Sequence, residues 1–578
     1  MFFSHDPNNS FYYLGVEPPG PRTLNKYLLD RPPTLVACDV ETISLKEKTT
    51  LGIGIATSPQ TAFYFTLFPE QSGVVPWSLL KDPNITTVWH GGIFDLDSLA
   101  EYDINQDIQD TNIMARLQGY KSNKLIDLGW IHQMEVHEAG DVLAEYAAKT
   151  MLDLPEQVTA RKCMQDAMAT FKLYMELLPK TNLPYYNVER ATIPIMLRMS
   201  YRGVLLDQEE RAIIEQGLES EAIRLRAICE EAEMFNPSSP QQVSYILAKR
   251  GAYSVFPRLP FTKNKWGRST GRLSADVSVL KKMDDPLAQI ILEYRGNTKL
   301  LSTYIRPWAG RERARTAYHL DAITGRPSAT SGGNITEFRN MQNIPGKYRK
   351  DGSLYPYNCR GCLLPDSGTW TDVDWEQLEP RALGYLSGDR EMTHIFEQPK
   401  YKPDGNRNEE GDIHFQVASF MGIDRKLGKI VNLAMTYGAT DETLMEQSNI
   451  RSRERVKQLR HMWGQKFPEA MDWIESRQED ALRTGFAYTA FGRRMRLPTL
   501  DEESADGIKR KAIDYPCQGT AADILKRGLL LMQDMDLALQ VHDELLVDGM
   551  ELPEKFETLK HIAPFETPIE IKYLTRWE

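Results

Sequence analysis

The sequence predicts a multidomain chain, α/β in its first third and mainly α beyond it. Three observations predict this. The chain has 578 residues, too many for one core at about 100–200 residues per domain, so at least three globular units are expected. The first ~180 residues carry short apolar runs of strand length. From about residue 186, apolar residues recur at helical spacing instead, as Ile214, Leu218, Leu225 and Ile228 do.

Taken in order, Leu35-Val36-Ala37-Cys38 reads as a buried strand ending in acids, and 51–56 and 62–67 read as strands of the same sheet. Helical patterns follow near 142–150 and 158–178. Pro179 and Pro184 punctuate the chain and set the first boundary, giving units 1–185 and 186–578. The polar 398–411 segment, rich in Pro and Gly, reads as a solvated loop, and 451–482 as a long helical stretch. Near the end, 537–541 and 545–547 read as two strands flanking His542-Asp543-Glu544, with the acids at the turn. There is no internal repeat and no low-complexity tract.

Composition narrows the function. Charged residues at 26% and hydrophobic residues at 41% suit a soluble folded protein. No run approaches about 18 apolar residues, so no membrane span or membrane partner is expected. The start, MFFSHDPNNS, lacks a basic segment followed by an apolar core, so an intracellular, cytoplasmic protein is expected. Of six cysteines only Cys359 and Cys362 form a C-x-x-C, half of what a zinc site needs, and reduced thiols are expected. The net charge of −11 argues against a nucleic-acid partner. Yet residues 295–350 hold eleven Lys/Arg against three acids, a local +8. Such a patch suits a phosphate backbone, or is a solvated basic face.

Two aspartates stand out. Asp374 follows a strand-like run, and Asp543 sits in the strand-turn-strand near the C-terminus. Alone, each is an ordinary turn acid. Together at adjacent strand ends, two carboxylates could hold two Mg²⁺ roughly 4 Å apart for phosphoryl transfer. Between them, Arg425, Lys429, Leu433 and Tyr437 recur every four residues, along one helix face. Spacing alone favours an amphipathic surface helix there.

The combination is more specific. Asp374-Trp-Glu-Gln-Leu-Glu379-Pro-Arg381 resembles motif A of family A DNA polymerases, Arg425 to Gly438 resembles motif B, and Val541-His542-Asp543-Glu544 resembles motif C. Thr324-Gly325-Arg326 and Asn340-Met341-Gln342-Asn343-Ile344-Pro345 resemble the primer-template segment. Asp412-Ile413-His414, Arg510, the run 518–523, the run 491–494 and Trp577 also fit. The resemblance covers 186–578. It implies a right-hand polymerase, with thumb about 205–315, palm about 316–395 and 530–578, and fingers about 396–529.

The resemblance implies roles residue by residue. Asp374 and Asp543 are expected to ligate metal, with the backbone carbonyl of Trp375, and Glu544 to support them. Arg425, Lys429, His414 and Gln377 are expected at the dNTP, Lys429 also as a proton donor to pyrophosphate. Glu379 is expected to act as a steric gate at the sugar 2′ position, and Tyr437 to pack near the templating position. Arg326, Gln518 and His542 are expected at the primer terminus through the minor groove, whose acceptors look alike in all correct pairs. Asn340, Gln342, Asn343, Arg381 and Arg510 are expected at DNA. Two positions depart from the family. Leu433 replaces the usual Phe or Tyr, which predicts altered sugar handling. Asp514 replaces the more frequent Asn and puts a carboxylate near DNA phosphates.

In the first third, Asp39-Val40-Glu41 places two acids on one strand face. Asp95 lies in His90-Gly-Gly-Ile-Phe94-Asp95, and Asp166 in a helical run. The set resembles a DEDD 3′→5′ exonuclease domain over about 30–180, which implies a ribonuclease-H-like fold holding two Mg²⁺, or Mn²⁺ in their place. The usual water-orienting Tyr, four residues before the last Asp, is Lys162 here, and the His variant's position is Arg161. An intact metal site with slow proofreading is expected.

The expected enzyme is a compact DNA-directed DNA polymerase of replication or repair, of phage or bacterial type, working as a monomer on primer-template DNA and dNTPs. It would lie in the host cytoplasm if phage-encoded. Helicase or single-strand-binding protein are candidate replisome partners, and no counterpart of a 5′-nuclease domain is expected. A single-subunit RNA polymerase, a degradative exonuclease with a silent polymerase half and a silent DNA-binding scaffold are the alternatives. Glu379 and the paired acids stand against them.

Overall fold

The computed structural model describes residues 2–6, 11–15, 33–44, 49–68, 75–105, 107–256, 258–264, 268–330, 339–346, 357–404 and 406–578. Three of the basic residues counted above, Lys347, Arg349 and Lys350, lie outside them.

The N-terminal part is built on a seven-stranded sheet. Its strand order is Phe2–Asp6, Phe11–Gly15, Thr61–Thr66, Thr50–Ser58, Leu35–Thr42, Thr86–Trp89 and Gln109–Asp110. The first five strands pair antiparallel and the last two join in parallel. Helix Glu156–Leu177 covers the strands Leu35–Thr42 and Thr50–Ser58. It comes so close that a Cβ on Gly54 would sit 2.8 Å from the Cys163 carbonyl oxygen. The first two strands escape the sequence reading because their apolar residues stand side by side, as in Phe2-Phe3, and give no period-two signal. The helical pattern near 142–150 holds only in part: helix Ala139–Glu145 ends early, and Ala147 adopts a left-handed φ of 52°.

Pro179 lies in the short turn Leu178–Lys180. Pro184 lies in the first turn of helix Leu183–Arg202, where its missing N–H leaves no bond unmade. That helix packs against Thr111–Leu117 on one side and against Ala505–Leu531 and Leu537–Val541 on the other. Beyond it, helices Gln208–Ala232 and Pro286–Leu300 pack together, with a two-stranded hairpin, Phe261–Lys263 and Ser269–Leu273, between them in sequence.

A four-stranded antiparallel sheet follows, in the order Leu537–Val541, Glu544–Asp548, Trp370–Trp375, Ile569–Leu574. Val373, Leu545 and Val547 are fully buried against Ile524, Leu525 and Leu529 of the long helix Ala505–Leu531. At about 1.5–3 kcal/mol for each buried aliphatic side chain, the sheet is a firm platform. A separate apolar core joins the helices between residues 378 and 484. The 451–482 stretch is two helices, Arg453–Lys466 and Pro468–Thr484, not one. The break falls at Phe467 (φ −125°, ψ 71°), because the ring of Pro468 pushes the preceding residue out of the helical region. The 398–411 loop is mostly exposed, but Asn408 is buried and donates to the Pro399 carbonyl at 2.8 Å. All six cysteines are free and buried. No described helix is long and apolar enough to cross a membrane.

Candidate active site

Strand pairing sets the site. Asp374 is opposite Glu544 in the ladder, and Glu544 is opposite Val541 on its other side, so Asp543 lies in the turn beside Asp374. The Trp375 amide donates to the Asp543 carbonyl at 3.1 Å and locks the two strand ends together. The turn is strained: His542 has a left-handed φ of 57°. Gln540 braces it, donating through Nε2 to the His542 carbonyl at 2.7 Å.

Like charges are crowded here. Burial, with Glu544 and Asp543 beside it, pushes Asp374 up to about 7. Burial also raises Asp543, against the pull of Arg326, whose guanidinium is 3.7 Å away. Glu544 is committed elsewhere: it accepts from the Trp577 indole and from Arg360, which stacks over the Trp577 ring at 3.9 Å. Glu544 is thus held beside Asp374 by two donors. Asp374 and Asp543 offer crowded hard oxygen donors that Arg326 and Lys572 only partly offset, a set that fits divalent magnesium.

A second wall comes from helix Leu378–Ser387. Its N-cap Gln377 is left-handed at φ 55°, and Glu379 follows in the first turn. Glu379 accepts from the hydroxyl of Tyr437, the C-cap of helix Arg425–Thr436. Arg326, Glu379, Gln518, His542 and Asp543 line one cleft. On the long helix, Arg510, Asp514 and Gln518 share a face by their spacing of four. Burial raises Asp514 against the opposing pull of Arg510 and Arg326, so two cations accompany this unexpected carboxyl.

The basic helix is anchored at its start. Arg425 donates to Asp412 at 2.7 Å, and Arg407 pairs with the same oxygen at 2.8 Å. The other oxygen of Asp412 caps His414 and Phe415 at 3.0 and 3.2 Å. His414 is buried, and burial first, then Lys429 and Arg425, holds it down to about 4 against the pull of Asp412. Lys429 is exposed one turn beyond Arg425, and Leu433 is half-buried on the next turn.

Three expected DNA contacts turn inward instead. Gln342 is buried and bonds the Pro327 carbonyl at 3.2 Å and Gln540 at 2.9 Å, so it braces the turn from behind. Arg381 bonds the carbonyls of Glu376 and Phe396 at 3.2 and 3.3 Å and lies over the Phe396 ring. Asn340 donates to the Ala329 carbonyl. Asn343 and Arg510 are exposed. The sequence reading missed Asp372 and Arg360. Asp372 shares its strand face with Asp374, a period-two signal present in the sequence, and burial, Glu544 and Asp374 push it up to about 8. Arg360 was hidden between the two cysteines of C-x-x-C.

The N-terminal acids also meet. Asp39 and Glu41 lie on the strand Leu35–Thr42, Asp95 on helix Ile93–Ser98 and Asp166 on helix Glu156–Leu177. Asp110 orders the loop before Asp95, accepting from the amides of Gly91 and Gly92 at 3.2 and 2.9 Å. Burial, then Asp166 and Glu41, raises Asp39 well above the carboxylate range, and burial, then Asp110 and Glu41, does the same for Asp95. The four acids expected at a metal site are thus brought together, with Lys162 among them. Lys162 donates to Glu41 at 2.6 Å and to Asp166 at 2.7 Å, so an ammonium stands inside the cluster. Asp39, Glu41 and Cys163 offer ligand atoms within 4.8 Å of one another. Burial raises the Cys163 thiol well above its usual range, so it is protonated and a poor ligand for a hard cation.

The chain is 28% identical over 424 residues to "DNA polymerase I, thermostable" of Thermus thermophilus, a match that takes in 67% of this chain and 47% of that protein. It is 28% identical over 574 residues to DNA polymerase I of Chloroflexus aurantiacus, covering 89% of this chain and 57% of the relative. The chain spans about half the length of the curated relatives it matches. Among solved structures, the POL domain of Pol1 from M. smegmatis, in complex with DNA primer-template and dNTP, superposes with a TM-score of 0.72 at 21% identity. That match covers 97% of this chain and 99% of the other, and it establishes a common fold. The model of DNA polymerase family A matches residues 208–564, well over half of the sequence, and the chain belongs to DNA polymerase family A.

Proposed function

We propose that the chain is a template-directed DNA polymerase that adds dNTPs to a primer 3′ end at the cleft between Asp374, Asp543 and the helix Arg425–Thr436. The juxtaposition of Asp374 and Asp543 at paired strand ends, with Glu544 fastened beside them, carries this reading. A pair of bound Mg²⁺ ions would lower the pKa of the primer 3′-hydroxyl and neutralise the leaving pyrophosphate. Asp374 and Asp543 would hold them, with the Trp375 carbonyl beside them.

The rest of the work falls to the chain's own groups. Arg425, steered by Asp412, and Lys429 present two cations one helical turn apart to the triphosphate. Lys429 gives a proton to the departing pyrophosphate. His414, kept neutral by burial, donates to phosphate without bringing a charge. Glu379, tied to Tyr437, fills the space a ribose 2′-hydroxyl needs, which disfavours the RNA polymerase reading. Arg326, Gln518 and His542 meet the primer terminus from the side of Asp543.

Primer extension tests the proposal. Wild type with Mg²⁺ and four dNTPs is expected to extend a matched primer. Asp374→Ala should fall by on the order of 10²–10⁴ in rate, the worth of several kcal/mol of charge stabilisation. Equal extension by the variant would remove the metal role.

A further inference from the structure

Four carboxylates, Asp39, Glu41, Asp95 and Asp166, share one largely buried space beneath helix Glu156–Leu177. Such a cluster is stable only when it is protonated or holds a cation. The cation present here belongs to the chain. Lys162 Nζ reaches Glu41 Oε1 at 2.6 Å and Asp166 Oδ2 at 2.7 Å, bridging the strand and the helix with charge-assisted bonds.

Three features make this lysine a fixture of the cluster. Its side chain is 11% exposed, and those of Glu41 and Asp166 are 7% exposed, so the pairs are little screened by water. Its own helix supplies one acceptor, Asp166, one turn on. The helix backbone is seated on the sheet at Gly54, so the lysine cannot withdraw with its helix. An ammonium can balance charge, but it has no open coordination position. It cannot bind a water as ligand and lower that water's pKa, which is how a metal makes a nucleophile at neutral pH.

We propose that Lys162 is the resident cation of this cluster, an ammonium in the seat of a divalent ion, so that the N-terminal third keeps nuclease-like acids without degrading DNA ends. The inference is independent of the polymerase reading and goes beyond it.

The test reads Mn²⁺ binding to the full chain by the EPR signal of free ion, in an Asp374→Asn/Asp543→Asn background that silences the other site. With Lys162 in place, adding Asp39→Asn/Glu41→Gln is expected to change nothing. Lys162→Met should gain a Mn²⁺ site bound at least about tenfold more tightly, because the site's occupant is gone. Should Lys162→Met unfold without metal, Mn²⁺ is expected to restore its melting transition. Either of two binding results overturns the proposal: Mn²⁺ binding with Lys162 present that disappears with Asp39→Asn/Glu41→Gln, or a folded Lys162→Met chain that binds no added ion. Metal-dependent shortening of a mismatched primer by the otherwise unaltered chain overturns it as well.

Discussion

Glu379 takes its position from Tyr437, whose hydroxyl it accepts, and burial raises its carboxyl in spite of that bond. A side chain fixed this way excludes by shape. Glu379→Ala should therefore raise ribonucleotide incorporation relative to dNTP by about 10–100-fold, read as the ratio of kcat/KM values, and an unchanged ratio removes the gate role. His414 makes a pH prediction. Burial holds its imidazole down to about 4, whereas in the unfolded chain it titrates near about 6.5. Above that value neither state carries the proton. As pH falls from 6.5 towards 4 the unfolded chain takes it up first, so stability is lost across that window. Urea unfolding at pH 7 and pH 5 should show a larger loss in wild type than in His414→Gln; parallel losses would show an imidazole that titrates normally. At this scale the motif residues were readable, since chemistry restricts which side chains can ligate magnesium. The orientation of Gln342, Arg381 and Asn340 was not, because inward or outward is decided by groups far away in sequence, Gln540 and Phe396 among them.

The helix Arg425–Thr436 was legible as an element through its spacing of four. Leu433 sits on it between Lys429 and Tyr437, where an aromatic ring would add flat surface against a sugar. Leu433→Phe should lower the KM for dNTP about two- to tenfold, the worth of an aromatic contact of about 0.5–1.5 kcal/mol, and shift discrimination against dideoxynucleotides. Identical KM, rate and discrimination would mean that the position does not touch the nucleotide. The hairpin of Leu537–Val541 and Glu544–Asp548 was also legible, since two apolar runs flank a polar turn. The edge hairpin Phe2–Asp6 and Phe11–Gly15 was not, and neither was the break at Phe467, which one proline imposes on an otherwise continuous helical pattern.

Across the whole molecule, the N-terminal sheet and the long helix are joined by buried charge. Glu189, on the connecting helix, accepts from Arg116 at 3.0 Å and from Lys526 at 2.6 Å, and pairs with Arg493. Arg493 also donates to the Tyr185 hydroxyl at 2.9 Å, and Asp523 takes the Tyr185 hydroxyl and that of Thr489. Arg493 fits only because residue 325 is glycine: a Cβ there would overlap its guanidinium. No local pattern announces this network, whose members are spread from 116 to 526. Glu189 is the anion that three buried cations share, so Glu189→Ala should cost about 3–5 kcal/mol in denaturant unfolding; a loss under about 1 kcal/mol would mean that the pairs are solvated.

The two strand ends at Asp374 and Asp543 are the point on which function turns, and anomalous scattering from Mn²⁺ tests them most directly. In crystals of the chain with primer-template, dNTP and Mn²⁺, the account predicts two peaks about 4 Å apart between these carboxylates. Peaks elsewhere in the molecule, with Asp374 and Asp543 turned apart, would contradict it.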